Sequence, residues 1–191
     1  MAATVAAYLL VIIYFASDKR FRTDKNARQL TLDETDRKST YYLLLAYGIS
    51  ILFLLLALLF NYFRLGLLEV GWFFGWIGVV LMALGISLRA WATRVLGRFY
   101  TRTLLTTPDH RVVQEGPYKL VRHPGYSGSL LVWIGAVVAT TNWIVLAVVT
   151  VVCCAAYLYR IQSEEVMLMA SFGTEYEEYR RRTRRLIPFI Y

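Results

Sequence analysis

The fold is decided by one long uncharged stretch, YSGSLLVWIGAVVATTNWIVLAVVTVVCCAAYLY, which occupies residues 126–159. Its 34 residues are too many for one membrane helix, because a hydrocarbon core about 30 Å thick needs roughly 20 residues. Thr140, Thr141 and Asn142 interrupt the stretch with turn-prone side chains. We therefore predict a helical hairpin, with one apolar helix on each side of this interruption.

Three more apolar segments precede the hairpin. Residues 41–63 and 70–88 carry no charge over 23 and 19 residues, and residues 2–17 form a shorter apolar run. A signal peptide would place positive residues before its apolar core, whereas here the first basic cluster follows the run. We therefore expect a first membrane span rather than a signal peptide. The fold class predicted is an all-α integral membrane protein with about five transmembrane helices.

The third apolar segment is rich in glycine, and the four glycines are Gly71, Gly75, Gly78 and Gly85. Small residues let helix backbones approach one another closely in a membrane, so we expect this helix to pack tightly against a neighbour. Arg89, Arg94 and Arg98 follow it. They indicate that the helix continues into the interface, where arginines reach toward water.

The basic residues are distributed asymmetrically along the chain. Residues 18–40, 89–125 and 160–191 contain 20 of the 21 lysines and arginines. With five spans, these three segments lie on one side of the membrane, and the positive-inside rule places that side in the cytosol. We therefore predict an outside N-terminus and a cytosolic C-terminus. The same pattern explains the net charge of +8 without nucleic acid, which we do not expect as a partner.

The end of the chain predicts a further helix that lies on the cytosolic membrane surface. Gly173 would end the helix that leaves the membrane, and Thr174 followed by Glu177 fits a capping box that starts a new helix. The basic run 180–185 suits an amphipathic helix at the interface. Pro188 would end this helix.

The two cysteines, Cys153 and Cys154, are adjacent inside the last apolar run. Neighbouring residues on a helix point in different directions, so we expect no disulfide between them. The only histidines that could join them at a zinc ion, His110 and His123, lie outside the run. We therefore predict no metal site and expect both cysteines to be small packing residues.

Residues 108–126, PDHRVVQEGPYKLVRHPGY, form the segment richest in potential ligand-binding groups. Gly116-Pro117 and Pro124-Gly125 are turn pairs. A loop of this kind beside the membrane offers backbone groups and aromatic edges to a ligand. From the residues alone, a plain connector anchored by its tyrosines fits equally well.

Arg160 and Glu164 form a second candidate pair on the helix that leaves the last apolar run. Residues four apart share one helix face, whereas the neighbouring Glu165 lies on a different face. The pair could be a surface ion pair of little energetic value. It could instead hold a zwitterionic or anionic ligand where the membrane ends.

Several catalytic motifs are missing from the sequence. It contains no phosphate-binding glycine-rich loop, no Gly-x-Ser-x-Gly nucleophile elbow and no His-Glu-x-x-His metal motif. This pattern disfavours reactions that need an activated nucleophile or a metal. It favours reactions whose driving force resides in an organic cofactor.

Two sequence blocks carry a family resemblance, and they flank the predicted hairpin. They read Gly116-Pro117-Tyr118-x-x-x-Arg122-His123-Pro124-x-Tyr126-x-Gly128 and Glu164-Glu165-x-x-Leu168-x-x-x-Phe172-Gly173-x-x-Tyr176-x-x-Tyr179, followed by Ile187-Pro188-Phe189-Ile190. In this order they resemble the isoprenylcysteine carboxyl methyltransferase family and its membrane methyltransferase relatives, over about residues 95–191. The resemblance implies methyl transfer from S-adenosylmethionine to the C-terminal carboxylate of a prenylated cysteine, with S-adenosylhomocysteine as product.

The resemblance also implies roles for individual residues. The cofactor-binding residues that it implies are Thr103, His110, Arg111, Val112, Val113, Tyr118, His123, Pro124, Gly125, Tyr126 and Glu164. Arg160 falls where the family binds its substrate, so Arg160 and Glu164 form the expected catalytic pair. A carboxylate acceptor is already ionised at neutral pH and needs no general base. The lipophilic substrate would enter from the bilayer and the cofactor from the cytosol.

We predict one membrane domain over residues 1–191, with the N-terminal spans in residues 1–90 and a catalytic core with the cofactor pocket in residues 91–191. A phospholipid N-methyltransferase would use the same cofactor, but Arg160 suits an amine acceptor poorly. A membrane sterol-type reductase carries a similar Arg-His-Pro loop, but it uses NADPH and generally has more spans. A non-enzymatic lipid-binding or scaffold protein would leave the loop and the Arg160–Glu164 face idle.

Overall fold

The computed structural model describes residues 2–20, 34–97 and 112–188, and these residues are mainly helical. The helices are α1 (Ala2–Arg20), α2 (Glu34–Tyr62), α3 (Phe73–Leu96), a short 3-10 helix (Gly116–Lys119), α4 (Pro124–Ala139), α5 (Trp143–Phe172) and α6 (Thr174–Arg182). The only β-type pairs in these residues are two isolated bridges, Leu67 with Asn142 and Val121 with Arg184. The all-α character predicted from the sequence is confirmed.

Three helices in the described residues are long and apolar enough to cross a bilayer, and they are Lys38–Tyr62 within α2, α3 and α5. Large apolar side chains point outward from each of them, including Leu55, Val80 and Val151. Exposure on this scale is unfavourable in water and indicates contact with lipid. The apolar part of α1 and the whole of α4 are shorter. The count of five spans requires these two helices to cross as well, and it stays a prediction.

The interruption predicted at residues 140–142 separates α4 from α5. Asn142 is the N-cap of α5, and its side-chain oxygen accepts hydrogen bonds from the backbone amides of Ile144 and Val145 at 3.1 and 3.2 Å. Its amide nitrogen donates to Asn61 Oδ1 at 2.7 Å and to the Leu65 carbonyl at 2.8 Å. A buried amide needs such partners. The hairpin therefore turns where polar groups at the end of α2 and just after it can form hydrogen bonds with Asn142.

Helices α3 and α4 pack along a glycine seam, which consists of Gly78, Gly85, Gly128 and Gly135. A methyl group added to Gly85 would lie 2.5 Å from the Gly128 carbonyl oxygen, and one added to Gly135 would lie 2.5 Å from the Gly78 carbonyl oxygen. The two backbones are therefore in contact, which confirms the close approach predicted for Gly78 and Gly85. Gly75 also faces a neighbouring helix, at Ala3 of α1.

The core lies where α3, α4 and α5 meet α1 and α2. Met82, Trp133 and Tyr157 are fully buried there. Both cysteines are free thiols, as expected. Cys153 packs in the same core, with its sulfur 3.3 Å from the Ser50 hydroxyl oxygen.

The structure shifts two predicted helix boundaries. Helix α3 begins at Phe73 rather than at Val70, and it continues past Leu88 to Leu96. The continuation through Arg89 and Arg94 agrees with the expectation of an extended helix end. Gly71 precedes α3 and has only Phe73 close to it, so it takes no part in the helix contact.

The structure contains the separate helix predicted after Gly173, but the predicted capping box and the predicted helix end were wrong. Gly173, with a φ of +51°, is the N-cap of α6, and no side chain caps this end. Thr174 is therefore the first helical residue and not the cap of a capping box. The helix ends at Arg182 rather than near Pro188. It stops there because the next residues extend and pair with the segment before α4: the Arg122 amide donates to the Arg184 carbonyl at 2.7 Å.

The glycine seam generates the first prediction, which concerns stability. Gly85→Ala forces a methyl group against the α4 backbone, so we expect a loss of roughly 1–3 kcal/mol in the free energy of unfolding. Gly48→Ala in α2 is the matched control, because nothing lies within 4 Å of its added methyl group. Chemical unfolding in detergent micelles measures both. An equal change in the free energy of unfolding of the two variants would contradict the close contact between α3 and α4.

Candidate functional site

The candidate site forms at one end of the helix bundle, where the loop before α4 meets α5. His123 is the N-cap of α4 and Pro124 is its first helical residue. Proline suits this position because its missing amide proton would have no partner there. The Pro124-Gly125 pair therefore opens a helix and is not the turn that the sequence led us to expect. This arrangement puts Tyr126 on the first turn of α4, facing α5.

Arg160 and Glu164 lie one turn apart on α5 and are joined through Tyr126. The Tyr126 hydroxyl donates to Glu164 Oε2 at 2.6 Å and accepts from Arg160 Nε at 3.4 Å. A carboxylate, a phenol and a guanidinium thus form one connected group. The spacing of four residues predicted the shared face, whereas Tyr126 as the link comes from the packing of α4.

Arg160 is deeply buried, with only 4% of its surface exposed. Its Nη1 donates to Ser39 Oγ at 2.6 Å and to Thr40 Oγ1 at 3.1 Å. These contacts connect α5 to the start of α2. A buried guanidinium strongly favours an anionic partner because its charge is screened little by water. Arg160 is therefore not part of a solvent-exposed surface ion pair.

Glu164 keeps some access to solvent, since 25% of its side chain is exposed. Its Oε1 lies 3.8 Å from His123 Nδ1, and the His123 side chain is buried. The His123 ring stacks on Tyr126, with ring centroids 5.7 Å apart and planes inclined by 20°. A carboxylate that is partly accessible, beside a pair of stacked rings, can accept hydrogen bonds from an incoming ammonium or hydroxyl group.

The neighbouring Glu165 is bound by three cationic or polar side chains, and we call this group the Glu165 clamp. Glu165 Oε1 accepts from Arg122 Nε at 2.8 Å and lies 3.4 Å from His123 Nε2, while Oε2 accepts from Arg185 at 2.8 and 3.0 Å. Only 5% of the Glu165 side chain is exposed. The clamp joins α5, residues 122–123 before α4, and residues 183–188, which we call the C-terminal segment.

Backbone contacts extend the clamp along the C-terminal segment. Arg122 Nη1 also donates to the carbonyls of Thr183 and Arg180, at 2.6 and 3.2 Å. These are carbonyl groups that the end of α6 leaves without helical partners. The Ser127 hydroxyl donates to the Leu186 carbonyl at 2.6 Å. These contacts hold the chain against the site from Arg180 to Leu186.

Two tyrosines of α6 complete the wall of the site. The Tyr179 hydroxyl donates to the Tyr118 carbonyl at 2.8 Å, and burial raises the pKa of the Tyr179 phenol. Tyr176 is buried too, and among the described residues its hydroxyl has no hydrogen-bond partner. Burial, followed by the charges of Glu165 and Glu164, raises the pKa of the Tyr176 phenol. Tyr176 therefore stays neutral and retains a proton to donate.

The structure brings together six of the residues that the sequence singled out: His123, Pro124, Gly125, Tyr126, Arg160 and Glu164. Tyr118 lies on the 3-10 helix and approaches the group through its carbonyl contact with Tyr179. Val112 and Val113 are half-buried and precede this helix. Thr103, His110 and Arg111 lie outside the described residues.

Sequence reasoning missed Glu165, Arg185 and Tyr176, and it gave Arg122 no role. The doubled glutamate at residues 164–165 was the available signal, because helix neighbours face different directions. A second carboxylate at the end of an apolar helix must find its own cationic partners. The basic run near the C-terminus supplies one of them.

The central part of the chain matches a known family. Residues 76–170 match the family described as the isoprenylcysteine carboxyl methyltransferase (ICMT) family. A probable protein-S-isoprenylcysteine O-methyltransferase of Oryza sativa subsp. indica is 35% identical over 121 residues, which are 62% of this chain and 63% of that protein. Protein-S-isoprenylcysteine O-methyltransferase B of Arabidopsis thaliana is 34% identical over 125 residues, 64% of each chain.

A solved structure shows a similar fold. The structure of the eukaryotic intramembrane Ras methyltransferase ICMT is similar to this chain with a TM-score of 0.64 and 25% sequence identity. The similarity covers 84% of this chain and 55% of that chain. The matches thus span less than two thirds of the length of these relatives.

The Glu165 clamp generates the second prediction. Glu165→Ala leaves buried cationic side chains without their carboxylate, so we expect docking of the C-terminal segment to weaken by about 3 kcal/mol. Limited trypsin cleavage after Arg184 and Arg185 should then become much faster, because cleavage follows the opened population. Glu178→Ala is the control, since its pair with Arg182 is exposed to solvent. Unchanged cleavage of the Glu165 variant would show that the clamp does not hold the segment.

Proposed function

Because the chain belongs to the isoprenylcysteine carboxyl methyltransferase family, matching it over residues 76–170, we propose that it methylates the C-terminal carboxylate of a prenylated cysteine. The proposed methyl donor is S-adenosylmethionine and the proposed product is S-adenosylhomocysteine. One observation carries the proposal: buried Arg160 and partly accessible Glu164 meet through Tyr126 at the end of the bundle. This group combines an anion-binding residue with a residue that accepts hydrogen bonds from a cofactor.

Arg160 would bind the acceptor carboxylate. A guanidinium holds a carboxylate in a forked geometry, which fixes both position and orientation. The acceptor is ionised at neutral pH, since the usual pKa of a carboxyl group is near 4. Alignment therefore replaces acid–base chemistry as the main contribution of the protein. Contacts with Ser39 and Thr40 hold the guanidinium in place for this purpose.

Glu164 would bind polar groups of the cofactor. Its carboxylate has the chemistry to accept hydrogen bonds from an amino or ribose hydroxyl group, and Tyr126 already orients one of its oxygens. When bound, the cofactor supplies an electrophilic methyl group on a sulfonium sulfur. The proposed binding residues around it are Thr103, His110, Arg111, Val112, Val113, Tyr118, His123, Pro124, Gly125, Tyr126 and Glu164.

The geometry also bears on the rival functions. An amine acceptor would be repelled by the Arg160 guanidinium, which disfavours a phospholipid N-methyltransferase. A reductase would need cationic groups for the phosphates of NADPH. Arg122, which directly precedes His123, is instead buried in the Glu165 clamp. Carboxylate methylation uses both charged groups of the site, so the observed contacts favour it.

The proposed membrane placement follows from the site's position at helix ends. We propose five spans, with α4 and α5 as the hairpin, an outside N-terminus, and a site and C-terminus on the cytosolic side. Helix α6 then lies along the cytosolic surface, with Tyr176 and Tyr179 inward and its arginines outward. A single domain over residues 1–191 would consist of spans in 1–90 and a catalytic core in 91–191. Prenyl chains would enter from the lipid and the cofactor from water.

The third prediction separates the two roles in a methyl-transfer assay with labelled S-adenosylmethionine and an S-farnesylated cysteine. Arg160→Ala should lower kcat roughly 10- to 100-fold while the cofactor still binds, because a hydrogen bond to a charged group is lost. Glu164→Ala should instead weaken cofactor binding by a similar factor. Arg64→Ala, which removes an exposed arginine paired with Glu69 at 3.5 Å, is the control.

Two results would contradict the proposed function. The first is wild-type activity in both site variants. The second is methylation of a farnesylated cysteine whose carboxylate has been converted to an amide. Either result would place the acceptor away from Arg160.

A further inference from the structure

A basic cleft of about 280 Å³ opens on the outer side of the C-terminal segment. The residues that line it are Lys119, Leu120, Arg181, Arg182, Arg184 and Pro188. Four of the six are cationic, and none of them belongs to the Glu165 clamp or to the Arg160–Glu164 group. Methyl transfer as proposed above gives these residues no task.

The fold separates the basic residues of this region into two sets. Thr183 has an extended backbone, and Arg184 after it forms an isolated bridge with Val121. Arg185 points inward to Glu165, and Arg184 points outward into the basic cleft. The backbone pairing of Arg184 with Leu120 and Arg122 brings the 3-10 helix end, and hence Lys119, to the same place. The cleft is therefore built from two separate parts of the chain, residues 119–120 and residues 181–188.

Two of the cationic residues of the basic cleft form only exposed ion pairs with nearby carboxylates. Arg181 contacts Glu177 and Arg182 contacts Glu178, each at 3.1 Å, and all four side chains are exposed. Exposed pairs of this kind contribute little to stability and exchange readily with other ions. An incoming anion with several oxygen atoms can therefore take over these arginines at small cost.

Exposed apolar side chains lie in the basic cleft and next to it in the chain. Leu120 lines the cleft and Ile187 directly precedes Pro188, which also lines it, and the two are 54% and 52% exposed. Trp91 of α3 is also exposed, and it lies beside the 3-10 helix at Gly116. Basic groups with exposed leucine, isoleucine and tryptophan beside them are typical of surfaces that lie in the membrane interface. A soluble anion would leave these apolar side chains in water.

We propose that the basic cleft binds the phosphate-bearing headgroup of an anionic phospholipid in the cytosolic leaflet. The lipid phosphate contacts Lys119, Arg181, Arg182 and Arg184, and Leu120 and Ile187 lie against its acyl chains. The bound lipid holds the C-terminal segment, and with it the Glu165 clamp, at the membrane surface. This inference rests on the proposed placement of this face at the membrane and is independent of the methyl-transfer chemistry.

Native mass spectrometry of the detergent-solubilised full chain, titrated with phosphatidylglycerol or phosphatidylcholine, tests the proposal. A juxtamembrane charge changes affinity for anionic lipid by roughly fivefold. The triple variant Arg181→Gln/Arg182→Gln/Arg184→Gln should therefore bind phosphatidylglycerol at least about tenfold more weakly, with phosphatidylcholine binding unchanged. Arg64→Gln is the matched control, because it removes an exposed arginine far from the basic cleft and should leave both affinities unchanged.

Further measurements distinguish lipid binding from binding of soluble anions and from misfolding of the variants. Soluble glycerol phosphate should bind far more weakly than phosphatidylglycerol. Leu120→Ser should lower the affinity for phosphatidylglycerol and leave the affinity for glycerol phosphate unchanged. Lys119→Gln, which leaves α6 intact, should show a smaller loss in the same direction. The proposal is overturned if both basic-cleft variants bind phosphatidylglycerol like wild type, or if glycerol phosphate binds as tightly as the lipid. Binding of S-adenosylmethionine, measured on the same variants, should stay unchanged and reports separately on the proposed function.

Discussion

A buried carboxylate, Glu165, determines how the end of the helix bundle that carries the candidate site assembles. Moving an ionised carboxylate out of water costs several kcal/mol unless cations and hydrogen-bond donors surround it. Arg122, His123 and Arg185 meet this requirement from two distant parts of the chain. The residues before α4 and the C-terminal segment must therefore converge on α5. This convergence brings His123 and Tyr126 against Glu164, and it thereby forms the candidate site.

The packing of the helices determines where that site lies relative to the membrane. The glycine seam brings α3 against α4, and the turn at Asn142 sends α5 back along the bundle. Both helices of the hairpin then present their polar ends on one side, where Arg160 and Glu164 lie beside the start of α4. We propose that, at the ends of these apolar helices, one reactant reaches the site from lipid and the other from water. This geometry suits a reaction between a prenyl-linked acceptor and a water-soluble donor.

The sequence predicted those features that depend on local pattern. Uncharged runs located the three long apolar helices, polar residues 140–142 located the hairpin turn, and the spacing of four placed Arg160 and Glu164 on one face. The missed features depend on contacts between distant residues. Glu165 is 43 residues from Arg122 and 20 from Arg185, and no local pattern pairs them. The predicted end of α6 was wrong for the same reason. Pairing of residues 184–185 with the segment before α4 overrides the helical tendency of the basic run.

We propose that this end of the bundle binds a sulfonium methyl donor rather than a reducing nucleotide. Calorimetric titration of the detergent-solubilised wild-type chain with S-adenosylmethionine, and separately with NADPH, distinguishes the two. We expect saturable binding of S-adenosylmethionine and no heat of binding with NADPH. Binding of NADPH without binding of S-adenosylmethionine would contradict this proposal, and would turn the residues around His123 into part of a site for hydride transfer.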